Sequence, residues 1–353
     1  MHNQYGADLR RLIGKSFAVD TVIQMHDVDA FEDDVSAYPA VTVLRRCPQG
    51  PAVLARANGT FDRQEGQRLR SWATKGRTTA LRRSGITAAR LPAWFPGDEL
   101  WPSGDPARLS IVADLEKRFP LLEDRGSGTR VGIGVASGAD SVYLTRDADL
   151  VEQDRLLPLA MAADTTSGQL RWQGTYLVNP WKNGRLVDLA GYPRLASYLD
   201  AHTTTVRSRH IARKQPASWH RTIDRVDPAL ASRPKLLLPD LKAAIHPVLD
   251  GGGLYPHHNL YFVVSDGWDL EVLGGLLLSD VANLFVGTYC VKMRGGCYRF
   301  QAQYLRRIRV PVCGSLSTST QKELRRAFRE RDVEAATATA TRLYGISELP
   351  AAQ

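Results

Sequence analysis

The stretch from Lys292 to Pro311 reads KMRGGCYRFQAQYLRRIRVP and is the most informative part of this sequence. It holds six Lys or Arg residues and no Asp or Glu. Its aromatic residues, which lie between the cations, are Tyr298, Phe300 and Tyr304. Gly295-Gly296 predicts a bend where the backbone can approach a ligand closely. The mixture favours a nucleic-acid surface, since cations bind phosphates and aromatic rings stack on bases. The alternative is a solvated basic loop that leads into a core strand.

A second basic segment lies between residues 205 and 235, where eight Lys or Arg residues are opposed by two Asp. Its first part, residues 204–215, is predicted to be a helix, and Trp219 and His220 follow. Basic helices are commonly only solvated faces, but two basic segments together favour nucleic acid. The predicted DNA-binding residues are Arg207, Arg209, Arg213, Lys214, Lys292, Arg294, Gly295, Gly296 and Arg299.

The charge distribution supports a polyanionic partner. The chain has 353 residues, a formal charge of +9 and 43% hydrophobic residues, which is typical of a globular protein. Residues 1–62 hold six Lys or Arg against eight Asp or Glu, a net −2, whereas the remaining residues hold 40 against 29, a net +11. The basic character therefore belongs to the chain after residue 62, where it favours a polyanion as partner.

Several classes of protein and site are not supported. The four cysteines form no C-x-x-C pair, so we expect a reduced, cytoplasmic chain without a zinc or other metal site. The N-terminus is too polar for a signal peptide, and no apolar run approaches the ~20 residues of a membrane span, so no membrane partner is expected. There is no Walker loop, G-x-S-x-G, H-E-x-x-H or N-P-P-Y-like motif, and no catalytic residue is assigned. Asn179-Pro180-Trp181 comes nearest to the last motif but lacks its second proline.

The glycine-rich run from Gly132 to Gly138 partly matches a dinucleotide-binding fingerprint. Its third glycine comes one position late, and the following SVYL is predicted to continue as a strand rather than a helix. A glycine-kinked hairpin that presents Ser137, Gly138 and Asp140 to a surface is the favoured interpretation.

Three histidines, His246, His257 and His258, surround a triple glycine. A metal site is one interpretation. However, adjacent histidines on an extended chain point to opposite faces, so a hydrogen-bonding loop is favoured.

The periodicity predicts α/β and α+β architecture in four parts. Residues 1–62 resemble the end of an α/β sheet but are too short to cover their own apolar strand residues. Residues 63–125 are predicted to be a connector that packs on both neighbours. Residues 126–315 alternate short strands with helices, and residues 316–353 form a C-terminal helix with one apolar face.

Segments along nearly the whole chain resemble, in their order, the C-terminal part of adenine-specific DNA methyltransferases of the TaqI type. The segments that carry this resemblance are Asn3-Gln-Tyr-Gly6, Tyr38 to Leu44, Val131 to Leu144, Tyr176 to Pro180, Lys235 to Pro239, Leu276 to Asn283 and Tyr298 to Pro311. The first two are similar to the end of the family's catalytic sheet, and Val131 to Leu144 is similar to the entry of its specificity domain.

The resemblance implies a partial Rossmann-like sheet edge followed by a mixed α+β target-recognition domain that binds double-stranded DNA. The family's S-adenosylmethionine loop and N-P-P-Y-like motif have no counterpart here, so no cofactor or catalytic residue is carried over. The predicted protein is therefore a truncated or split methyltransferase of a restriction-modification or related defence system, with a separate N-terminal half as a possible partner. A non-catalytic DNA-binding subunit that acts alone is the alternative.

Overall fold

Two compact units make up the fold. The computed structural model describes residues 6–25, 28, 39–77, 79–95, 97, 101–102, 104–292 and 297–349. Within it, Met1–Pro120 and Thr341–Gln353 form one unit and Leu121–Ala340 the other. Both contain helices and sheets, so the expected mixed α/β and α+β class is confirmed.

The first unit is built on a five-stranded sheet with the order β2-β1-β3-β5-β4, in which only β1 and β3 pair in parallel. Its elements are α1 (Ala7–Ser16), β1 (Ala18–Gln24), β2 (Ala40–Arg45), β3 (Ala52–Ala57), α2 (Arg63–Thr74), β4 (Leu81–Arg82), β5 (Ile86–Leu91) and α3 (Pro106–Arg118). Helix α2 is capped by Asp62, whose side chain accepts a hydrogen bond from the Glu65 amide at 2.8 Å. Its buried Leu69 and Trp72 pack on the sheet beside Val53.

Strand β2 is the edge of this sheet and is largely exposed. Val41 and Val43 keep 47% and 42% of their surface in solvent, and Leu44 is exposed on the opposite face. In helix α1, Leu9 and Leu12 are exposed while Ile13 is buried, so only part of the apolar surface of that helix is covered. The first unit thus presents an apolar edge strand to solvent.

The second unit contains three further sheets and a hairpin. Its strands are β6 (Arg130–Ile133), β7 (Leu144–Thr145), β8 (Leu156–Ala160), β9 (Tyr176–Val178), β10 (Trp181–Lys182), β11 (Arg185–Leu186), β12 (Lys235–Pro239), β13 (Leu241–Lys242), β14 (Val248–Asp250), β15 (Tyr255–Pro256), β16 (Leu260–Val264), β17 (Val291–Lys292) and β18 (Tyr298–Arg299). They form sheets of order β14-β12-β16-β6, β15-β8-β9-β7 and β13-β18-β17, and β10 pairs with β11.

Helices complete the second unit. They are α4 (Asp140–Tyr143), α5 (Pro193–Ala201), α6 (Thr203–Ser208), α7 (His210–Lys214), α8 (Pro228–Ser232), α9 (Leu270–Leu278), α10 (Asp280–Tyr289), α11 (Ala302–Leu305), α12 (Thr318–Glu330) and α13 (Val333–Tyr344), the last of which continues into the first unit. Strand β12 is central to its sheet and buried at every position, which matches its continuous apolar run.

Two glycines explain how α9 and α12 pack together. A side-chain carbon at Gly275 would lie 2.4 Å from the Leu324 carbonyl, and one at Gly274 would lie 2.5 Å from the Phe328 ring. Only residues without a Cβ atom allow the two helices to come this close. The apolar run of α9 is thereby buried against the C-terminal region rather than exposed.

The two compact units divide the chain after Pro120 and after Ala340, whereas the sequence predicted parts that end at residues 62, 125 and 315. The predicted connector, residues 63–125, supplies α2, β4, β5 and α3 to the first unit, so residue 62 is not a boundary there. The predicted C-terminal helix is broken between α12 and α13 by Arg331, which adopts a left-handed conformation with φ of 59°. Sequence periodicity predicted neither the place of residues 63–125 in the five-stranded sheet nor the break at Arg331. Periodicity reports local patterns, and it is insensitive both to pairing between distant strands and to the conformation of one residue.

Three predicted elements also differ locally. The helix over 204–215 is interrupted at Arg209, whose ψ of 143° is extended. SVYL begins with one helical turn, α4, instead of a strand, so the expected hairpin does not form. The predicted core strand near Val310 is reduced to an isolated bridge between Leu121 and Arg309.

In the described chain no single helix is long and apolar enough to cross a membrane. Only α9 and α10 taken together, with a bend of 64° between them, have the length and composition of a span.

Candidate nucleic-acid interface

Helices α6 and α7 carry the first group of predicted DNA-binding residues. Arg207, Arg213 and Lys214 are exposed, and none of them forms an ion pair with any residue that the structure describes. The Arg207 guanidinium carbon lies over the Trp219 ring, 4.4 Å from its centre, and the Arg207 side chain remains exposed. These three side chains retain the hydrogen-bonding capacity that a phosphate backbone requires.

Arg209 has a different position from its neighbours. Its guanidinium donates hydrogen bonds to the backbone carbonyls of Ser137 at 2.8 Å, Trp219 at 2.8 Å and Val206 at 2.9 Å. It also contacts the hydroxyl of Tyr143 at 3.2 Å and lies over that ring. The extended backbone at Arg209 and this set of contacts account for the break between α6 and α7. The Arg209 guanidinium therefore stabilises the fold through internal hydrogen bonds, which leave it little capacity to bind phosphate.

Tyr143 completes this internal network. Its side chain is fully buried, and its hydroxyl donates to the His220 carbonyl at 2.7 Å. Burial raises the pKa of Tyr143 to about 12, so the hydroxyl remains protonated and able to donate at neutral pH. The basic segment is therefore anchored to the core through Arg209 and Tyr143 together.

The second group lies around the small sheet β13-β18-β17. Arg299 is exposed on β18, where its backbone pairs with Leu241, while Lys292 lies on β17. Arg294, Gly295 and Gly296 lie outside the described residues, as does the side chain of Lys292. Of this group, only Arg299 has a side-chain position in the structure.

The remainder of the stretch from Lys292 to Pro311 serves the fold. Phe300 is fully buried and therefore belongs to the core instead of a base-stacking surface. Arg306 donates to the Glu123 carboxylate at 3.1 Å and to the Val131 carbonyl at 2.8 Å. The guanidinium carbon of Arg307 lies 3.7 Å from the centre of the Tyr289 ring. Fewer cations are therefore available to a ligand than the six that the sequence of this stretch contains, because Arg306 and Arg307 make contacts within the fold.

A chain of contacts joins the two basic groups. Asp240, between β12 and β13, accepts a hydrogen bond from the Phe300 amide at 2.8 Å and donates its own amide to the Asn259 carbonyl at 3.0 Å. Burial raises the pKa of Asp240, and the nearby cation of Arg299 opposes that rise. On the other side, Ser137 accepts from Arg209 and donates to Asp140, which contacts His257. The loops 135–140 and 257–259 therefore lie between the two groups.

The hairpin β10-β11 is a basic feature that sequence analysis missed. Its turn residues Asn183 and Gly184 have φ of 49° and 74°, and the strand residues beside them, Lys182 and Arg185, are exposed cations. Arg225 of the basic segment lies against Gly184. The dipeptide Asn-Gly is a strong hairpin signal and, with Trp181 and Leu186 just beyond the flanking cations, would have identified this turn.

The histidine loop differs from its predicted geometry. Residues 257–259 form a turn, so the adjacent rings do not point to opposite faces; the His257 Nε2 and His258 Nδ1 atoms are 3.0 Å apart. His257 is buried, which lowers its pKa, and the neighbouring His258 lowers it further. His246 is separate and hydrogen-bonds to the Thr165 carbonyl and the Arg331 side chain.

Asp140 joins the histidine pair through its second oxygen. Its Oδ2 atom lies 3.3 Å from His257 Nε2, and one potential ligand atom from each of Asp140, His257 and His258 falls within 4.8 Å of the others. Gly134 permits this approach, because a side-chain carbon there would lie 2.2 Å from the His257 carbonyl oxygen. Ser137, expected at a surface, is buried, whereas Asp140 is exposed.

Comparison with known proteins identifies the relatives of the chain. It is 44% identical over 349 residues to the Type II methyltransferase M.PaeR7I of Pseudomonas aeruginosa, covering 98% of this chain and 60% of that protein. It is 42% identical over 348 residues to M.XhoI of Xanthomonas vasicola, with 98% and 63% covered. M.BstVI of Geobacillus stearothermophilus is 37% identical over 324 residues, with 91% and 58% covered. The homologues are Type II methyltransferases. The chain spans about three fifths of their length.

Other comparisons are less informative. No protein-family model matches the chain. The type IIG restriction endonuclease BpuSI aligns with 93% of this chain and 40% of its own at 10% identity, with a TM-score of 0.39. The type IIL restriction-modification enzyme MmeI in complex with DNA aligns with 96% and 45% at 8% identity, with a TM-score of 0.47. Both TM-scores are below 0.5.

Proposed function

We propose that this chain is the DNA-recognition portion of a site-specific, adenine-specific DNA methyltransferase of the TaqI type, acting in a restriction-modification or related defence system. The observation that carries the proposal is 44% identity to a Type II methyltransferase over 98% of the chain. The sequence contains no N-P-P-Y-like motif and no recognisable cofactor loop. Methyl transfer would therefore require S-adenosylmethionine and catalytic residues held outside these 353 residues.

Exposed cations would hold the DNA. Arg207, Arg213, Lys214 and Arg299 are exposed, and the first three have no acidic partner among the described residues. A duplex releases counterions when such cations neutralise its phosphates, and this release supplies much of the binding free energy. Lys292, Arg294, Gly295 and Gly296 remain predicted contacts. Arg209 is omitted from the proposed set because its guanidinium already binds three carbonyls.

The exposed edge strand β2 would join the catalytic portion. Val41, Val43 and Leu44 are exposed although β-branched and apolar side chains favour a half-buried sheet surface. An uncovered apolar edge promotes association with another strand. The relatives extend beyond the matched region by about two fifths of their length, and we propose that a segment of that kind, in the same or a separate chain, covers β2.

The proposal is tested by two measurements on the full chain. The first is selection of bound duplexes from a randomised DNA library, followed by sequencing; a recognition module enriches one short motif that contains adenine. The second is transfer of a tritiated methyl group to that motif. The chain alone should give no transfer, whereas the chain mixed with the portion of M.PaeR7I that it does not match should give transfer to the adenine.

The two measurements separate the possible outcomes. An enriched motif with no methyl transfer in the mixture supports a DNA-binding subunit that acts alone. Methylation of cytosine instead of adenine would refute the adenine assignment while retaining the recognition role. Absence of any enriched motif, with equal binding to all duplexes, would refute site-specific recognition.

A further inference from the structure

We propose that Asp140, His257 and His258 form a binding site for one divalent transition-metal ion of the Zn²⁺ class. The sequence indicated no metal here, because the histidines were expected on opposite faces of an extended chain. The turn at 257–259 removes that objection. The site goes beyond the proposed function, which does not involve these three side chains.

The distances fit a tetrahedral ion. Zn²⁺ binds imidazole nitrogen and carboxylate oxygen at about 2.0–2.1 Å, so two ligand atoms of a tetrahedral site lie about 3.3–3.4 Å apart. The His257 Nε2 atom is 3.0 Å from His258 Nδ1 and 3.3 Å from Asp140 Oδ2. Two of the three separations are thus close to those of a metal site, and the third, between Asp140 and His258, is within 4.8 Å. Two imidazoles with one carboxylate form a donor set that Zn²⁺ accepts.

A metal ion can bind all three ligand atoms at once, whereas a single proton on His257 Nε2 cannot hydrogen-bond well to both of its neighbours. The His257 Nε2 atom faces both a carboxylate oxygen and the Nδ1 atom of His258, and one proton can be donated well to only one of them. The Nδ1 atom of His257 and the Oδ1 atom of Asn259 are buried and have no hydrogen-bond partner within the described chain. A metal ion bound at Nε2 of His257 would leave the ring proton on Nδ1.

The site combines a fixed interior with access from solvent. His257 is buried, and its amide donates to the Ala160 carbonyl at 3.0 Å, so its ring has a defined position. His258 and Asp140 are exposed, which allows an ion to enter and a water molecule to complete the coordination. The Ser137 hydroxyl donates to the other oxygen of Asp140 and orients the carboxylate, as groups around metal ligands commonly do.

The test uses the full chain with any histidine tag removed and after dialysis against a chelator. Co²⁺ is titrated first, because tetrahedral coordination gives it visible absorption bands, and Zn²⁺ binding is then measured by calorimetry. We expect saturable one-to-one binding. His258→Ala and Asp140→Asn should each weaken it at least about tenfold, since changing only an outer-shell group can cost that much. Saturating Zn²⁺ should raise the thermal midpoint of the wild-type protein by about 5 °C.

The matched control is His210→Ala. His210 is also exposed, but it lies on α7 outside the cluster, so its removal should leave the affinity unchanged. The His258→Ala protein should unfold at the wild-type temperature without metal and show no Zn²⁺-dependent rise. Absence of saturable binding, or equal affinity in the His258→Ala and His210→Ala proteins, would overturn the assignment. A hydrogen-bonded Asp140–His257–His258 triad without a metal would then remain.

Discussion

Replacing Arg207, Arg213 and Lys214 together by Gln should reduce the salt dependence of DNA binding. All three are exposed and have no acidic partner in the described structure, so each is available to neutralise one phosphate. Each phosphate contact contributes about 0.9 to the slope of log K against log salt concentration. Losing three contacts should therefore flatten the slope by up to about 2.7. Between about 50 and 200 mM salt, the wild-type affinity should fall about 40-fold more than that of the variant.

The assay is fluorescence anisotropy of a labelled duplex at four or more salt concentrations. A control replaces two exposed cations on α12, Lys322 and Arg326, by Gln; Arg326 also lies 4.0 Å from the Glu330 carboxylate. This control should keep the wild-type slope. An unchanged slope in the triple variant would show that Arg207, Arg213 and Lys214 form an ordinary solvated surface that does not contact phosphates. A loss of slope in the α12 variant in proportion to its two removed charges would show that the overall charge of the chain, rather than one defined surface, binds DNA.

Arg209→Gln tests whether Arg209 stabilises the fold rather than binding phosphate as Arg207, Arg213 and Lys214 are proposed to do. It removes three charge-assisted hydrogen bonds to carbonyls. Bonds to charged groups contribute about 1.5–3 kcal/mol each, and the partial exposure of Arg209 reduces this, so we expect a loss of about 3 kcal/mol in unfolding free energy. Urea unfolding measures it. A variant of wild-type stability whose salt slope is flatter would show instead that Arg209 binds phosphate.

Three further predictions concern the fold. Val41→Lys with Val43→Lys should shift self-associated protein towards the monomer in size-exclusion chromatography, because charges blunt an edge strand; an unchanged profile would contradict an associating edge. Asp250→Ala should lower the free energy of unfolding, measured in urea, by about 3–5 kcal/mol, because the buried Lys235 ammonium, 2.8 Å from the Asp250 carboxylate, would lose its charged partner. Replacing both residues by apolar ones should lower it much less, and equal losses in the two variants would refute this. Burial lowers the pKa values of His220 and His246, so the unfolded chain binds more protons than the folded chain below about pH 6.5. The free energy of unfolding should therefore decrease as the pH is lowered through that range, by up to about 1.4 kcal/mol per pH unit for each of these histidines. His246→Gln should make that dependence shallower, and an unchanged dependence would argue against the assignment.

Local patterns predicted much of the fold. Residues 126–315 were predicted to alternate short strands with helices, and strand β12, with its run of three leucines, is a buried strand inside a sheet. The C-terminal helix was predicted from its apolar face, and its first part, α12, is capped by Ser317, whose hydroxyl accepts a hydrogen bond from the Thr320 amide. Both features depend on residues close together in sequence. The five-stranded sheet was not predicted as a whole, because β3 pairs with β5 across the intervening helix α2.

The candidate site was predicted only in part, since charge counting does not distinguish a bound cation from a free one. Arg207 and Arg209 are two positions apart and carry the same side chain, yet only Arg209 reaches three backbone carbonyls. Its role depends on loop 135–140, more than sixty residues away in the chain. The histidine pair was misjudged for a related reason: a turn at 257–259, which the sequence interpretation took as extended, decides where the rings point.

The structure narrows the number of phosphates that the chain should neutralise. Seven of the nine predicted contact residues are cations, and Arg209 is removed from them by its internal hydrogen bonds. Four have exposed side chains in the structure, and Lys292 and Arg294 bring the largest number to six. At about 0.9 per contact, the salt slope should lie between roughly 3.6 and 5.4. A steeper slope would indicate additional cations, and Arg185 of the hairpin, beside the basic segment, would be the first to replace, since Lys182 already lies 3.6 Å from the Asp154 carboxylate.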